Sequence, residues 1–218
     1  MPVKAYGISV KNSSGRHILE PLDLTVAEGK VTLISGRSGS GKTTLLSVLS
    51  GLQRPESGKV FYGDLDLYKM SDGEGALYRN RETGFIPQGQ SALYNLTVKE
   101  NILLPSKIAG GSEDKSAYAD ELISKLGLED LKDSYPDKMS GGEIRRMAIA
   151  RALINRPAYI FADEPTGDLD DANTQKVFEL FRGIAREGAA VVIVSHESEA
   201  KDYADELYVM ESGKIRKE

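Results

Sequence analysis

The sequence predicts an α/β protein in which a mostly parallel sheet lies beside an antiparallel β subdomain and carries an inserted helical subdomain. Three observations predict this fold. Short, nearly continuous apolar runs rich in branched residues have the pattern of strands that are covered on both faces, as in parallel sheets. These runs alternate with helical patterns, whereas the N-terminal part contains strand-like runs separated by turn residues.

The N-terminal part is predicted to form the antiparallel sheet. The runs VKAYGISV and ILEPLDLTV are joined by the turn-rich segment KNSSGRH, and GKVFYGDLDL has the pattern of a further hairpin. Three other runs predict central strands of the parallel sheet, and three helical patterns lie between them along the chain. The strands are VTLIS (31–35), YIFAD (159–163) and VVIVS (191–195), and the helices cover 42–51, 140–155 and 173–186.

Residues from about 91 to 155 hold mostly helical patterns. Thr97 has the position of an N-cap for VKENILL, and DKSAYADELISKLG ends at Gly127. We therefore predict a helical subdomain over about 91–155, inserted between the two parts of an α/β core at about 1–90 and 156–218.

Composition indicates one folded domain over residues 1–218. The chain is 40% hydrophobic and 28% charged, and no repeat, low-complexity tract or linker divides it. Its 33 acidic and 28 basic residues give a net charge of −5, so we expect no nucleic-acid partner. Cysteine is absent, which excludes disulfides and cysteine-ligated zinc.

A role at a membrane is expected to depend on a partner. The N-terminal segment MPVKAYGISV lacks the apolar core of a signal peptide. The longest apolar runs also fall far short of the roughly 18 residues that a membrane-spanning helix needs.

The stretch GRSGSGKTT, directly after VTLIS, fits the P-loop pattern. Glycines let successive backbone N–H groups face the phosphates, the lysine reaches the β and γ oxygens, and the threonine hydroxyl ligates magnesium. A strand before it and a helix after it argue against an ordinary glycine-rich turn, so we predict a P-loop NTPase core. The predicted nucleotide-binding residues are Gly36, Arg37, Ser38, Gly39, Ser40, Gly41, Lys42, Thr43 and Thr44.

The strand within YIFADEPTGDLD delivers two adjacent carboxylates at its C-terminal end, where ligands lie in open α/β sheets. Asp163 suits the coordination shell of magnesium, and Glu164 suits a general base that orients an attacking water. The alternative is a pair of solvated turn acids, and the presence of the P-loop argues against it.

Two polar residues follow other strands and complete a plausible site. Gln88, in GFIPQGQ, would contact both magnesium and the attacking water; alternatively it is a solvated loop residue. His196, in VVIVSHE, would contact the γ-phosphate; alternatively it is a structural histidine at a strand end.

The segment MSGGEIRRMAIARA (139–152) places two glycines at the start of a strong helix, where each glycine costs roughly 1 kcal/mol relative to alanine. Ser140 and Glu143 have the spacing of a capping box, which is one explanation of the segment. The other is that Gly141 and Gly142 let an anion approach the free N–H groups of the helix N-terminus.

In their fixed order, these motifs closely resemble the nucleotide-binding subunit of ATP-binding cassette (ABC) transporters. The order is P-loop, glutamine loop, Ser-Gly-Gly helix start, Asp-Glu strand end, GDLD and strand-end histidine, and it covers nearly the whole chain. The SGGE segment is the most specific, because other P-loop ATPases lack it. The resemblance implies that two subunits pair head to tail, with the helix start of one at the γ-phosphate bound by the other.

The resemblance also implies a role for each site residue, with ATP and Mg²⁺ as the bound groups. Glu164 would be the catalytic base and His196 the sensor of the γ-phosphate, with Gln88 and Lys42 as the further catalytic residues. The residues implied around Mg²⁺ are Thr43, Gln88 and Asp163. The residues implied to complete the partner's site, or to couple the two sites, are Ser140, Gly141, Gly142 and Asp170.

Three features depart from the commonest pattern of the family. MSGGE stands where LSGGQ is commoner, and GDLD is close to the GNLD of macrolide exporters and lipoprotein-release transporters. The aromatic residue that usually stacks on adenine would lie near Val10, where the chain has none. Tyr6 comes too early, within a strand pattern, and His17 comes late.

The leading functional hypothesis is an ATPase subunit that powers a separate membrane permease, paired with a second copy or a paralogue, at the inner face of the cell membrane. One alternative is a soluble ABC-type ATPase that acts on nucleic acid or in translation. The chain has neither the long coiled coil nor the tandem cassettes of those proteins, and it is acidic. A nucleotide-binding regulator without turnover is a third hypothesis. The presence of every expected catalytic residue argues against it.

Overall fold

A computed structural model describes residues 1–108, 110 and 114–218 of the chain. The strands are β1 (Val3–Lys11), β2 (His17–Val26), β3 (Val31–Ser35), β4 (Ser57–Tyr62), β5 (Leu65–Asp66), β6 (Thr83–Ile86), β7 (Tyr159–Asp163), β8 (Ala190–Val194), β9 (Glu206–Glu211) and β10 (Lys214–Lys217). The α-helices are α1 (Lys42–Leu49), α2 (Asp72–Glu82), α3 (Val98–Ile108), α4 (Ser116–Lys125), α5 (Gly141–Leu153) and α6 (Asp171–Arg186).

The central sheet has six strands in the order β10-β9-β3-β8-β7-β6. All of its pairs are parallel except the terminal hairpin of β9 and β10. The prediction of an α/β fold with a mostly parallel sheet is therefore confirmed. The three apolar runs that predicted central strands are β3, β7 and β8, and the structure places each of them between two neighbours.

A second sheet, antiparallel throughout, has the order β2-β1-β4-β5. It contains the N-terminal runs and the hairpin that the sequence predicted, so the antiparallel subdomain is also confirmed. Val10 lies in β1 and is buried in this sheet's core.

Two hydrophobic cores lie on the two faces of the central sheet. One core joins sheet residues such as Leu33 and Ile160 to buried residues of the helical region such as Ile102, Leu122 and Met147. The other core joins the opposite sheet face to α1 and to the antiparallel sheet. The helical region is thus packed on the sheet that carries the site, while its division from the α/β core remains a prediction.

Local signals in the helical region act as the sequence predicted. The Thr97 hydroxyl accepts from the Glu100 N–H at 3.3 Å, and the Thr97 N–H donates to Glu100 Oε2 at 2.8 Å, which forms the expected cap before α3. Gly127 has φ +64°, the left-handed conformation that favours glycine after a helix. None of the helices in the described ranges is long and apolar enough to cross a membrane.

Candidate functional site

The predicted site segments follow the carboxyl ends of four adjacent parallel strands. The P-loop follows β3, Gln88 follows β6, the acidic pair ends β7, and His196 follows β8. Because these strands are neighbours, their ends converge on one cavity of about 510 Å³. Its lining residues are Ile18, Gly36, Arg37, Ser38, Gly39, Gly41, Lys42, Thr43, Thr44, Gln88, Asp163, Glu164 and His196.

Glycine is required at two positions of the P-loop. Gly36 has φ +151°, and a Cβ atom there would overlap the carbonyl oxygen of Met210. Gly41 has φ +104°, and its Cβ would lie 2.8 Å from the carbonyl oxygen of Ile18. Gly41 is also the N-cap of α1 and supplies no side-chain bond, so the first N–H groups of the helix remain free for an anion.

Lys42 is 9% exposed, and its ammonium group is held by the loop itself. Nζ donates to the carbonyl oxygens of Gly36 at 2.7 Å and Arg37 at 3.0 Å. These bonds place the charge over the loop, where phosphate oxygens would lie. Ser40, the remaining P-loop residue, is buried and lines an adjoining cavity.

Asp163 has the properties of a metal ligand. It is 2% exposed, and its Oδ2 atom is buried without a hydrogen-bond partner. Burial raises the pKa of its carboxyl group above the ordinary value, although the Thr43 hydroxyl and the Lys42 charge act in the opposite direction. A buried unpaired carboxylate oxygen beside a threonine hydroxyl fits Mg²⁺, which prefers one or two carboxylates together with phosphate and water oxygens.

No cluster of three or more acidic or histidine residues that could hold a metal occurs in the part of the chain that the structure describes. A P-loop magnesium site does not need one, because the nucleotide supplies ligands of its own. Thr43 and Gln88 line the same cavity as Asp163. Their predicted role around Mg²⁺ remains a prediction that this geometry fits.

Glu164 and His196 form a pair at the edge of the cavity. His196 Nδ1 lies 2.8 Å from Glu164 Oε1. Glu164 has φ +47°, a strained conformation for a non-glycine residue, and its N–H donates to the carbonyl oxygen of Val194 at 2.8 Å. Backbone strain of this kind is common at functional sites, and Glu164 lines the cavity.

The pKa of His196 is expected to depend on Glu164. The hydrogen bond and the negative charge of the Glu164 carboxylate raise the pKa of the imidazole above its usual value. Glu164→Gln removes that charge, so the pKa should fall. A titration of the imidazole proton resonances by NMR measures it, and His196→Asn assigns the signal because the chain has only two histidines. An unchanged pKa in Glu164→Gln would contradict the pairing.

The Ser-Gly-Gly segment forms the capping box that the sequence predicted. The Ser140 N–H donates to Glu143 Oε2 at 2.7 Å, and the Glu143 N–H donates to Ser140 Oγ at 3.3 Å. Gly142 also packs closely, because a Cβ there would lie 3.1 Å from the carbonyl oxygen of Asp168. Ser140, Gly141 and Gly142 do not line the cavity of about 510 Å³ described above, which we call the nucleotide cavity.

Asp170, predicted to couple two sites, is the N-cap of α6 and accepts from the Asn173 N–H at 2.8 Å. It likewise lies outside the cavity lining. The structure therefore brings together the P-loop, Gln88, the acidic pair and His196, and it leaves Ser140, Gly141, Gly142 and Asp170 outside that group.

Sequence reasoning missed two residues that hold the site together. Arg145, on α5, is fully buried and donates to the carbonyl oxygens of Pro87, next to Gln88, and of Glu164. The Thr166 hydroxyl donates to Glu197 Oε2 at 2.5 Å and so joins the loop after Glu164 to the loop of His196. One signal was available for Arg145: it lies three and four residues before the buried Ala148 and Ile149, on the same helix face.

The sequence has no aromatic residue near Val10 to stack on adenine, so such a residue would have to lie elsewhere around the two cavities. Neither the nucleotide cavity nor the adjoining cavity is lined by a Phe, Tyr or Trp of the described residues. Tyr6 lies within β1, and its ring packs edge-on against Phe61 at 6.1 Å. His17 lines the adjoining cavity together with Arg16 and Ile18, but His17 Nδ1 already lies 3.1 Å from the Leu19 carbonyl oxygen.

Discrimination between ATP and GTP is therefore expected to be weak. Without a stacking ring, the affinities for the two nucleotides should agree within roughly tenfold, or 1.4 kcal/mol. Competition titrations with purified chain measure the ratio. A preference of a hundredfold or more for ATP would show that another side chain holds the base, and His17→Ala would be the first variant to examine.

A glycine loop that leads into an uncapped helix, beside a buried strand-end carboxylate, defines the class of P-loop ATPases. Comparison with known families narrows the assignment. Residues 19–167 match the family described as ABC transporter. The chain belongs to this family, and it is an ATP-binding subunit that hydrolyses ATP.

Relatives and solved structures agree with this assignment. The chain is 40% identical to the lipoprotein-releasing system ATP-binding protein LolD of Aquifex aeolicus, over 92% of this chain and 90% of that protein. It is 38% identical to the uncharacterized ABC transporter ATP-binding protein MJ1508 of Methanocaldococcus jannaschii, over 97% and 94%. The dimeric structure of MJ0796, a bacterial ABC transporter cassette, has a TM-score of 0.93 and 30% identity, over 99% of this chain and 97% of that chain. A second MJ0796 structure, a dimeric post-hydrolysis state bound to ADP and Pi, also has a TM-score of 0.93, with 29% identity, over 99% and 97%.

Proposed function

We propose that two subunits bind Mg-ATP head to tail and thereby drive a separate membrane permease, either to export a substrate or to transmit force across the membrane. The second subunit is another copy of this chain or a paralogue. The permease holds the pair at the cytoplasmic face of the cell membrane.

The observation that carries this proposal is the position of the α5 N-terminus. Its capping box is intact and Ser140 is exposed. Neither Ser140 nor the two glycines that follow it line the chain's own nucleotide cavity. A helix N-terminus with free N–H groups attracts phosphate. A phosphate held by a second subunit would supply the ligand for this helix start.

Within each site, the chain's own residues would share the work. Lys42 and the N–H groups of the loop bind the phosphates, and Thr43, Gln88 and Asp163 hold Mg²⁺, which neutralises charge that develops on the phosphate oxygens. Glu164 accepts a proton from the attacking water. His196, held by Glu164 through Nδ1, presents its other ring nitrogen to the γ-phosphate.

An exposed apolar pair beside the Gln88 loop supports a permease contact. Leu93 is 40% exposed and Tyr94 57% exposed. Their segment is rigid, because the buried Asn101 side chain accepts from the Leu93 N–H at 2.9 Å and donates to the carbonyl oxygens of Leu93 and Leu96 at 2.9 and 3.0 Å. A partner bound there would act directly on the loop that carries Gln88.

Copurification from detergent-solubilised membranes tests the partner. The tagged chain should retain one integral membrane protein, whereas the double variant Leu93→Ser, Tyr94→Ser should lose it and keep the ATPase activity of the isolated subunit. Leu77→Ser is the matched control, because Leu77 is 42% exposed but lies on α2. Retention by the double variant would contradict the proposed contact, and copurification of nucleic acid or ribosomes instead would favour the alternative function.

A further inference from the structure

Arg145 is the largest fully buried side chain among the described residues, with 1% exposure. Three of its hydrogen bonds go to consecutive carbonyl oxygens at the end of β7. Nη2 donates to Asp163 O at 2.6 Å and Glu164 O at 2.5 Å, and Nε donates to Pro165 O at 3.0 Å. The guanidinium group therefore fixes the backbone on both sides of the strained Glu164.

The same guanidinium group also holds the loop of Gln88. Nη1 donates to the carbonyl oxygens of Pro87 and Gly89, the latter at 2.9 Å. These two residues flank Gln88, whose side chain lines the nucleotide cavity. The loop is thus anchored through its backbone, and the amide of Gln88 is left for the nucleotide site.

Every N–H donor of the Arg145 side chain has a hydrogen-bond partner in this arrangement. None of these partners is a carboxylate, so the positive charge is not paired with a negative one. A guanidinium group has five N–H donors, and all five bonds of Arg145 in the described part of the chain go to backbone carbonyls. Burial of a cation without a bonded carboxylate is expensive. An apolar residue or a glutamine would fill the same space without the free-energy cost of burying a charge. We therefore explain the arginine by the backbone carbonyl groups that its planar guanidinium group holds in place.

We propose that Arg145 is a positioning residue, which sets the Glu164 carboxylate and the Gln88 amide against the nucleotide and ties both to the helix that reaches the partner's site. Arg145 lies five residues after Ser140, the N-cap of α5, which is a rise of about 7.5 Å along the helix. Binding of the partner's nucleotide at the helix start would then change the positions of Glu164 and Gln88 through the Arg145 side chain. This inference rests on the proposed function.

Steady-state kinetics on the full-length chain test the proposal. Arg145→Gln should lower kcat by roughly 10- to 100-fold, because misplacement of a catalytic group by about 1 Å has effects of this size. The KM for ATP should change by less than about threefold, since the P-loop contacts remain. Arg145→Lys keeps the charge without the planar fork and should lie between Arg145→Gln and the wild type.

Arg151→Gln is the matched control. Arg151 is about 9 Å further along the same helix, and its Nη2 donates to Ser91 O at 2.9 Å and Ser91 Oγ at 2.6 Å. Each glutamine variant should lose some thermal stability, but only Arg145→Gln should lose kcat per bound ATP.

Equal kcat values in Arg145→Gln and Arg151→Gln, after correction for bound ATP, would overturn the positioning role. If Arg145→Gln does not fold, Arg145→Lys decides, because a wild-type kcat and KM in that variant would show that the fork is not needed. Failure of the head-to-tail pairing would be seen separately, as loss of the ATP-dependent dimer, whereas these measurements concern Glu164 and Gln88 in the chain's own site.

Discussion

Replacing Glu164 by Gln should lower kcat for ATP hydrolysis by about 10²- to 10⁴-fold, the usual contribution of general-base catalysis. The amide has nearly the same shape as the carboxylate, but it cannot accept the proton of the attacking water. Single-turnover measurements at saturating Mg-ATP give the chemical rate directly. ATP should still bind, because the P-loop residues are unchanged.

Two controls sharpen this prediction. Nucleotide binding by Glu164→Gln should match the wild type, which separates loss of chemistry from loss of the site. Glu199→Gln alters an exposed carboxylate three residues after His196, and it should retain far more activity. Turnover by Glu164→Gln at the wild-type rate would show that Glu164 is not the base.

Lys42→Ala should abolish turnover. Among the described residues that line the cavity, Lys42 is the only lysine, and its ammonium group already lies over the loop, bonded to Gly36 O and Arg37 O. Removing it takes away the point charge that would meet the β and γ oxygens and also loosens the loop. We expect activity at the background level in a phosphate-release assay, together with weakened ATP binding.

Lys69→Ala is the matched control for Lys42→Ala, because the Lys69 side chain is 76% exposed and pairs only loosely with Asp66 at 3.9 Å. It should hydrolyse ATP at the wild-type rate. Comparable turnover by Lys42→Ala and Lys69→Ala would overturn the assignment of the P-loop.

Much of the fold could be predicted because its signals are local. The strands β3 and β7 coincide with apolar runs that have to be covered on both faces. The cap at Thr97 depends only on the four residues from Thr97 to Glu100. Helix α2 was not predicted. It buries only Gly75 of its eleven residues, so it has no apolar face to give a periodic pattern.

The nucleotide cavity was predicted more completely than the parts that hold it together. Motifs with fixed spacing identify Lys42, Asp163 and Glu164 without any knowledge of the fold. The role of Arg145 depends on carbonyl oxygens that are 18 to 58 residues away in sequence. Such contacts leave no mark in a local pattern: the helix face of Arg145 indicates that its side chain is buried, but nothing local identifies the carbonyl oxygens that it bonds.

The central claim is that the Ser-Gly-Gly helix start completes a second subunit's site, and light scattering on a sizing column tests it most directly. Glu164→Gln should elute with ATP at twice the 23.7 kDa mass of the chain, and as a monomer without it. Adding Ser140→Arg should dissolve this dimer and leave ATP binding largely intact. Adding Ser71→Arg should not, although Ser71 caps α2 through the same kind of capping box. A dimer that survives Ser140→Arg would contradict the account, whereas an inactive Glu164→Gln that binds ATP and stays monomeric would exclude pairing between two copies of this chain alone.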